Sequence, residues 1–118
     1  MTVHLCHAID CWLPVPPRML FCIDHWKMLP KSAQSVIWRE YRAGQERDKR
    51  PSARYLVAQA CAVAFVAGKD GKMDRERIHA FVIQRVKDVG MGASEAIEIM
   101  ADMAESRGKA SAPTESNT

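Results

Sequence analysis

Apolar side chains change their spacing along this chain, and each change marks an element. Up to Leu29 they follow no period: Pro14, Pro16 and Pro17 interrupt Trp12, Leu13, Val15, Leu20 and Phe21, so no helix runs between Cys11 and Cys22. From Pro30 the spacing becomes helical. Ala33, Val36, Ile37 and Tyr41, with Trp38 beside them, share a face, and Gly44 is placed to end a helix over 30–43. Gly44 to Arg50 is polar and reads as a loop. Pro51 and Ser52 open a second helix with Ser52 as its N-cap, and its stretch from Tyr55 to Ala67 contains Gln59 as its lone polar side chain. A helix apolar on every side and too short for a bilayer belongs at the centre of a domain.

After a turn over Gly68 to Lys72, Asp74 caps a third helix that reaches Val89, with Ile78, Phe81, Val82, Val86 and Val89 on one stripe. Gly90 and Gly92 separate it from a fourth helix over 93–106, which presents Ala96, Ile97, Met100, Met103 and Ala104 inward and Glu95, Glu98, Asp102 and Glu105 outward or sideways. No period-two alternation is long enough for a strand. The expected fold is mainly α, an irregular N-terminal knot packed on a bundle of three to four helices. Residues 1–29 form the knot, 30–107 a helical core in one cooperative unit with it, and 108–118, rich in Ser, Ala and Thr, a disordered tail.

A knot broken by prolines and poor in apolar residues cannot bury enough surface to offset its own ordering entropy. The missing free energy has a visible source. Cys6, Cys11, Cys22 and His25 stand in the spacing C-x4-C-x10-C-x2-H, three thiolates and an imidazole that can close a tetrahedral shell around one Zn²⁺. Four protein ligands leave no open position, so the metal is structural, and folding of the knot is coupled to binding it. His4 and His7 lie close enough in sequence to replace one of the four, or to sit outside the shell. Trp12, Leu13, Val15, Leu20, Phe21 and Trp26 are the side chains available to seat the knot on the helices.

The chain has 118 residues and a formal charge of +3, too mild for a dedicated nucleic-acid coat. There is no basic, apolar leader and no continuous apolar run of membrane length, so a cytoplasmic location and no membrane association are expected. In a reducing compartment clustered Cys and His are ligands sooner than disulfides, and Cys61, inside the apolar helix, reads as a small core hydrophobe. No phosphate-cradling glycine loop, nucleophile elbow or H-E-x-x-H pair is present, and Asp70, Gly71 and Asp74 lack the alternating acids of a calcium loop; no enzymatic role is expected. Charge is unevenly spread. Residues 39–54 are rich in Arg and Lys while the fourth helix is acidic, which predicts a polarised molecule. The acids also argue against a helix-turn-helix reading of the last two helices. Trp38, Arg39, Tyr41, Arg42, Arg47, Lys49 and Arg50 combine cations that neutralise phosphates with rings that stack on bases, and form the candidate nucleic-acid contact. A solvated charged face and core aromatics are the plainer account of the same residues.

With Cys6-His7, Cys11, Val15-Pro16-Pro17, Cys22, His25-Trp26, Leu29-Pro30, Ile37-Trp38, Tyr41-Arg42 and Gly44-Gln45-Glu46 in hand, the chain resembles small uncharacterised zinc-ribbon-like accessory proteins of proteobacterial tailed phages and prophages. The matching text ends at Val57. The resemblance implies a phage accessory origin and a zinc-ribbon-like knot, with no activity attached. The expected function is that of a non-enzymatic, zinc-stabilised accessory protein that binds nucleic acid or a nucleic-acid-processing complex of the host. The alternative is a protein-directed inhibitor or adaptor, acting on a host enzyme or defence complex through the acidic fourth helix or the knot.

Overall fold

The computed structural model describes residues 4–104; the expected tail and the last two residues of the expected fourth helix lie outside the described residues. The protein is mainly helical, with an N-terminal knot set against α-helices. The knot begins as a narrow loop whose sides meet at an antiparallel bridge between Leu5 and Pro14. The Cys6 N–H donates to Leu13 O at 2.9 Å and the Val15 N–H to His4 O at 2.9 Å. Asp10 takes the left-handed conformation at the tip (φ 65°), which a short polar side chain tolerates. The chain then returns past this loop, the His7 N–H donating to Leu20 O, and enters the single turn α1 (Ile23–Trp26).

Helix α2 (Lys31–Glu40) starts after Pro30 as expected but stops earlier than Ala43, because Tyr41 is extended (φ −68°, ψ 128°). The polar stretch read as a loop contains one further turn, α3 (Gln45–Asp48), entered through Gly44 at φ 88°, a conformation glycine adopts without steric cost. Helix α4 (Ala53–Lys69) is capped by Ser52 Oγ, which accepts from the Tyr55 N–H, and α5 (Arg75–Asp88) by Asp74, which accepts from the Arg77 N–H. Helix α6 (Ala93–Met103) completes the described chain.

Helix α4 is the hub. It packs against α2, α5 and α6, and α2 packs against α6. Val57, Ala58, Ala62, Ala64 and Val66 are fully buried along it, and so many alanines let three neighbours approach one axis. One apolar cluster runs from Cys6, Leu20 and Phe21 of the knot into Val57, Val66 and Ile99 of the helices. Polar ties reinforce this: Gln34 Nε2 donates to Trp26 O at 3.0 Å and Ser32 Oγ to Met103 O at 2.7 Å.

Two inward assignments are corrected. Trp12 and Leu13 do not seat the knot; they are 72% and 53% exposed, on the limb of the loop that turns outward as the neighbouring cysteines turn in. On α6 the buried line is Ala96, Ile99 and Met103, with Ile97 and Ala104 exposed. The helix rests between α2 and α4 on positions spaced i, i+3 and i+7, and Ile97 lies about 100° round from Ala96.

Candidate metal centre

Cys6 and Cys11 come from the two sides of the knot's first loop, Cys22 is the residue before α1, and His25 lies within that turn. A spacing of three on one helical turn puts Cys22 and His25 on the same side. The four ligand atoms lie within 4.8 Å of one another and could hold a metal ion. Cys6 Sγ is 3.6 Å and Cys22 Sγ 3.3 Å from His25 Nδ1. A tetrahedral shell with metal–sulfur bonds of ~2.3 Å and metal–nitrogen bonds of ~2.0 Å has an S···N edge of about 3.5 Å. The side chains thus stand near a shell's dimensions, and coordination requires small adjustments.

All four cysteines are free thiols, with Cys6 and Cys22 buried. Burial pushes the Cys6 thiol up to about 11, while the backbone N–H groups of Ala8 and Cys22 aimed at its sulfur pull it the other way. Without a cation the pocket therefore holds a neutral thiol, and metal entry must displace its proton. The imidazole is held from behind. His25 Nε2 lies 3.3 Å from Asp70 Oδ2, at the α4–α5 turn, so the ring presents Nδ1 to the sulfurs. A carboxylate behind a ligating histidine fixes its tautomer and orientation and raises its basicity. Lys72, two residues on, donates to Ile9 O at 3.1 Å. The turn read from sequence only as a connection thus buttresses both the ligand and the loop.

His4 and His7 stay outside the cluster. His4 Nδ1 lies 3.3 Å from Val15 O, an acceptor only, so Nδ1 carries the proton. Gln59 Nε2 donates to His7 Nδ1 at 3.1 Å, leaving His7 Nε2 to donate to His4 Nε2 at 3.3 Å. Both rings are satisfied as neutral imidazoles, and burial, then the neighbouring His4, push His7 down.

The basic segment divides. Arg39 bonds Glu40 and Asp102, each at 2.9 Å, and Arg54 bonds Glu40 at 3.1 Å and Glu95 at 2.8 Å. These arginines clasp α6 to α2 and α4, so the basic and acidic faces adjoin instead of standing apart. Arg42 is also occupied, holding Asp48 and Arg50 O and so closing the loop around α3. Tyr41 donates to Glu46, which raises the phenol and lowers the carboxyl. Arg47, Lys49 and Arg50 are exposed and make no ion pair among the described residues. Trp38, 43% exposed, belongs to an edge-to-face ladder with ring centroids 6.2 Å from Trp26 and 5.5 Å from Tyr41, which continues to Tyr55 at 6.2 Å. Arg18, which sequence reasoning passed over, joins this surface. Two cavities of about 490 and 440 Å³ both have Arg18 and Tyr41 in their walls, the first with Trp38 and Arg47, the second with Lys49.

Cys61 is half-buried on α4, and burial pushes its thiol up to about 11, which leaves it a poor nucleophile near neutrality. Among the described residues no helix is long and apolar enough to cross a membrane. Compared with known proteins, the chain matches no family model, no curated protein and no solved structure.

Proposed function

We propose that this chain is a small, non-enzymatic phage or prophage accessory protein, stapled by one structural Zn²⁺ and binding single-stranded nucleic acid in its bacterial host's cytoplasm. Zinc is favoured for the centre because three thiolates and one imidazole form a closed, borderline-soft set, and a filled tetrahedron leaves no position for substrate. The observation that carries the nucleic-acid reading is the paired cavity around Tyr41, which joins the exposed Trp38 to Arg18, Arg47 and Lys49. Rings beside cations without ion-pair partners are what a flexible strand requires, stacking for its bases and counter-charge for its phosphates. Within the segment chosen from sequence, Trp38, Arg47, Lys49 and Arg50 remain contact residues, Tyr41 supports Trp38, and Arg39 and Arg42 serve the fold. The protein-directed alternative has less support on the acidic helix, since Arg39 and Arg54 already engage Asp102 and Glu95.

Metal analysis should return about one zinc per chain. Fluorescence anisotropy with single-stranded oligonucleotides should show affinity falling with added salt, and Arg47→Gln or Lys49→Gln should each flatten the log–log slope by about 0.7. Arg39→Gln should leave the slope unchanged. Trp38→Ala should weaken binding by ~1–3 kcal/mol with the slope intact. Absence of binding to DNA and RNA, single- or double-stranded, at low salt would overturn the reading.

A further inference from the structure

Helices α5 and α6 both pack on α4 without packing extensively on each other. The space between them is a groove of about 680 Å³, walled by Phe65, Met73, Met100 and Met103 among other apolar side chains and by two charged ones, Lys69 and Arg75. Among the described residues no carboxylate lines it. Neither cation has an ion-pair partner among the described residues; the Lys69 ammonium lies 5.5 Å from the Phe65 ring centroid. Phe65 is 40% exposed on a helix otherwise deeply buried. The volume lies within the ~300–1,000 Å³ of small-ligand sites, which are likewise mainly apolar with a few polar groups that fix orientation.

We propose that this groove binds one alkyl carboxylate of the fatty-acid type. The walls provide the chain's environment: three methionines, unbranched and polarizable, adapt to a linear alkyl chain, and burying methylenes there removes them from water. The rim determines the sign of the head group. With Lys69 and Arg75 present and no acid among the described lining residues, an anionic head gains two charge-assisted contacts, while a cationic head is repelled by both. Arg75 adds a planar fork suited to a carboxylate. The site shares no residue with the metal cluster or with the cavities around Tyr41, so its occupancy is independent of the nucleic-acid reading.

The test titrates the full-length, zinc-loaded protein with dodecanoate below its micellar concentration, following methionine methyl groups by NMR and heat by calorimetry. The expected result is one saturable site, with shifts at Met73, Met100 and Met103 and none at Met19. The double variant Lys69→Gln/Arg75→Gln, both at exposed positions, should weaken binding about tenfold while melting as the parent does. Dodecyltrimethylammonium should bind far more weakly than dodecanoate. Cys61→Phe, which fills the groove from α4, should abolish binding; if it does not fold, the rim variant decides. The proposal is overturned by any of three results. The first is no saturable binding of dodecanoate; the second is equal binding of the ammonium surfactant with no effect of the rim variant. The third is a methionine shift produced by protein concentration alone, which would assign the groove to a second copy of the chain.

Discussion

Asp70 is the residue through which the helical core acts on the metal centre, and its removal tests the whole arrangement. Its carboxylate sits 3.3 Å from His25 Nε2, with the two side chains 27% and 18% exposed. Loss of such a supporting carboxylate typically costs 10–100-fold in metal affinity. Partial solvent access places Asp70→Asn at the lower end: the amide oxygen still accepts from Nε2–H and only the charge is lost, so about tenfold, or ~1.4 kcal/mol, is expected. Asp70→Ala removes both and should approach a hundredfold.

The assay is competition for zinc against a chromogenic chelator, run beside thermal melts in excess metal. A loss of ~1.4 kcal/mol should lower the melting temperature of a domain this size by about 6 °C. Asp10→Asn is the matched control. It removes the same charge from the same surface, at a side chain 69% exposed and 4.0 Å from Lys72, and asparagine tolerates the left-handed backbone there. If Asp70→Ala binds zinc within twofold of the parent, the carboxylate does not support the ligand and the account of the α4–α5 turn fails.

Two further outcomes probe the core. Val63, 6% exposed on α4, belongs to the apolar cluster, so the carboxylate of Val63→Asp should cost several kcal/mol, of the order of ~3–5, and a variant that melts like the parent would show that α4 is not the hub. Cys61, raised from 9.0 to about 11 by burial, stabilises the fold fully below pH 9 and loses that contribution as pH rises through 11. In the metal-loaded protein the stability difference between the parent and Cys61→Ala should therefore shrink by about 2 kcal/mol over that window, measured by denaturant titration; a difference independent of pH would place the thiol in water.

The parts of the fold legible in sequence were those whose signal is local. Ser52 and Asp74 cap their helices where a short polar side chain precedes an apolar run, and the stretch from Tyr55 to Ala67 is the buried hub because Gln59 is its one polar side chain. The ligand cluster was legible for the same reason, since cysteine is rare and the Cys22–His25 spacing reports a helical turn. Register on α6 was not. Ile97 and Ile99 are equally apolar, and only contact with α2 and α4 decides which turns in.

Asp70 stood beyond reach for a different reason. It is 45 residues from His25, in a turn whose Asp-Gly composition is explained by the turn itself, and no local pattern distinguishes a solvated carboxylate from one aimed at a ligand. Charge patterning failed at the same level. Arg39 and Arg42 look identical to Arg47 and Lys49 in a list of basic residues, yet the first two are consumed by Asp102, Glu40 and Asp48. Arg42 is taken up by Asp48 within its own loop, whereas Arg39 is set apart by the packing of α6 against α2. That helix brings acids to Arg39 and Arg54 and brings none to Arg47 or Lys49, so the charge available to a phosphate is set by helix docking, and a variant that loosened α6 should release Arg39 and steepen the salt dependence of nucleic-acid binding by about 0.7 for single strands.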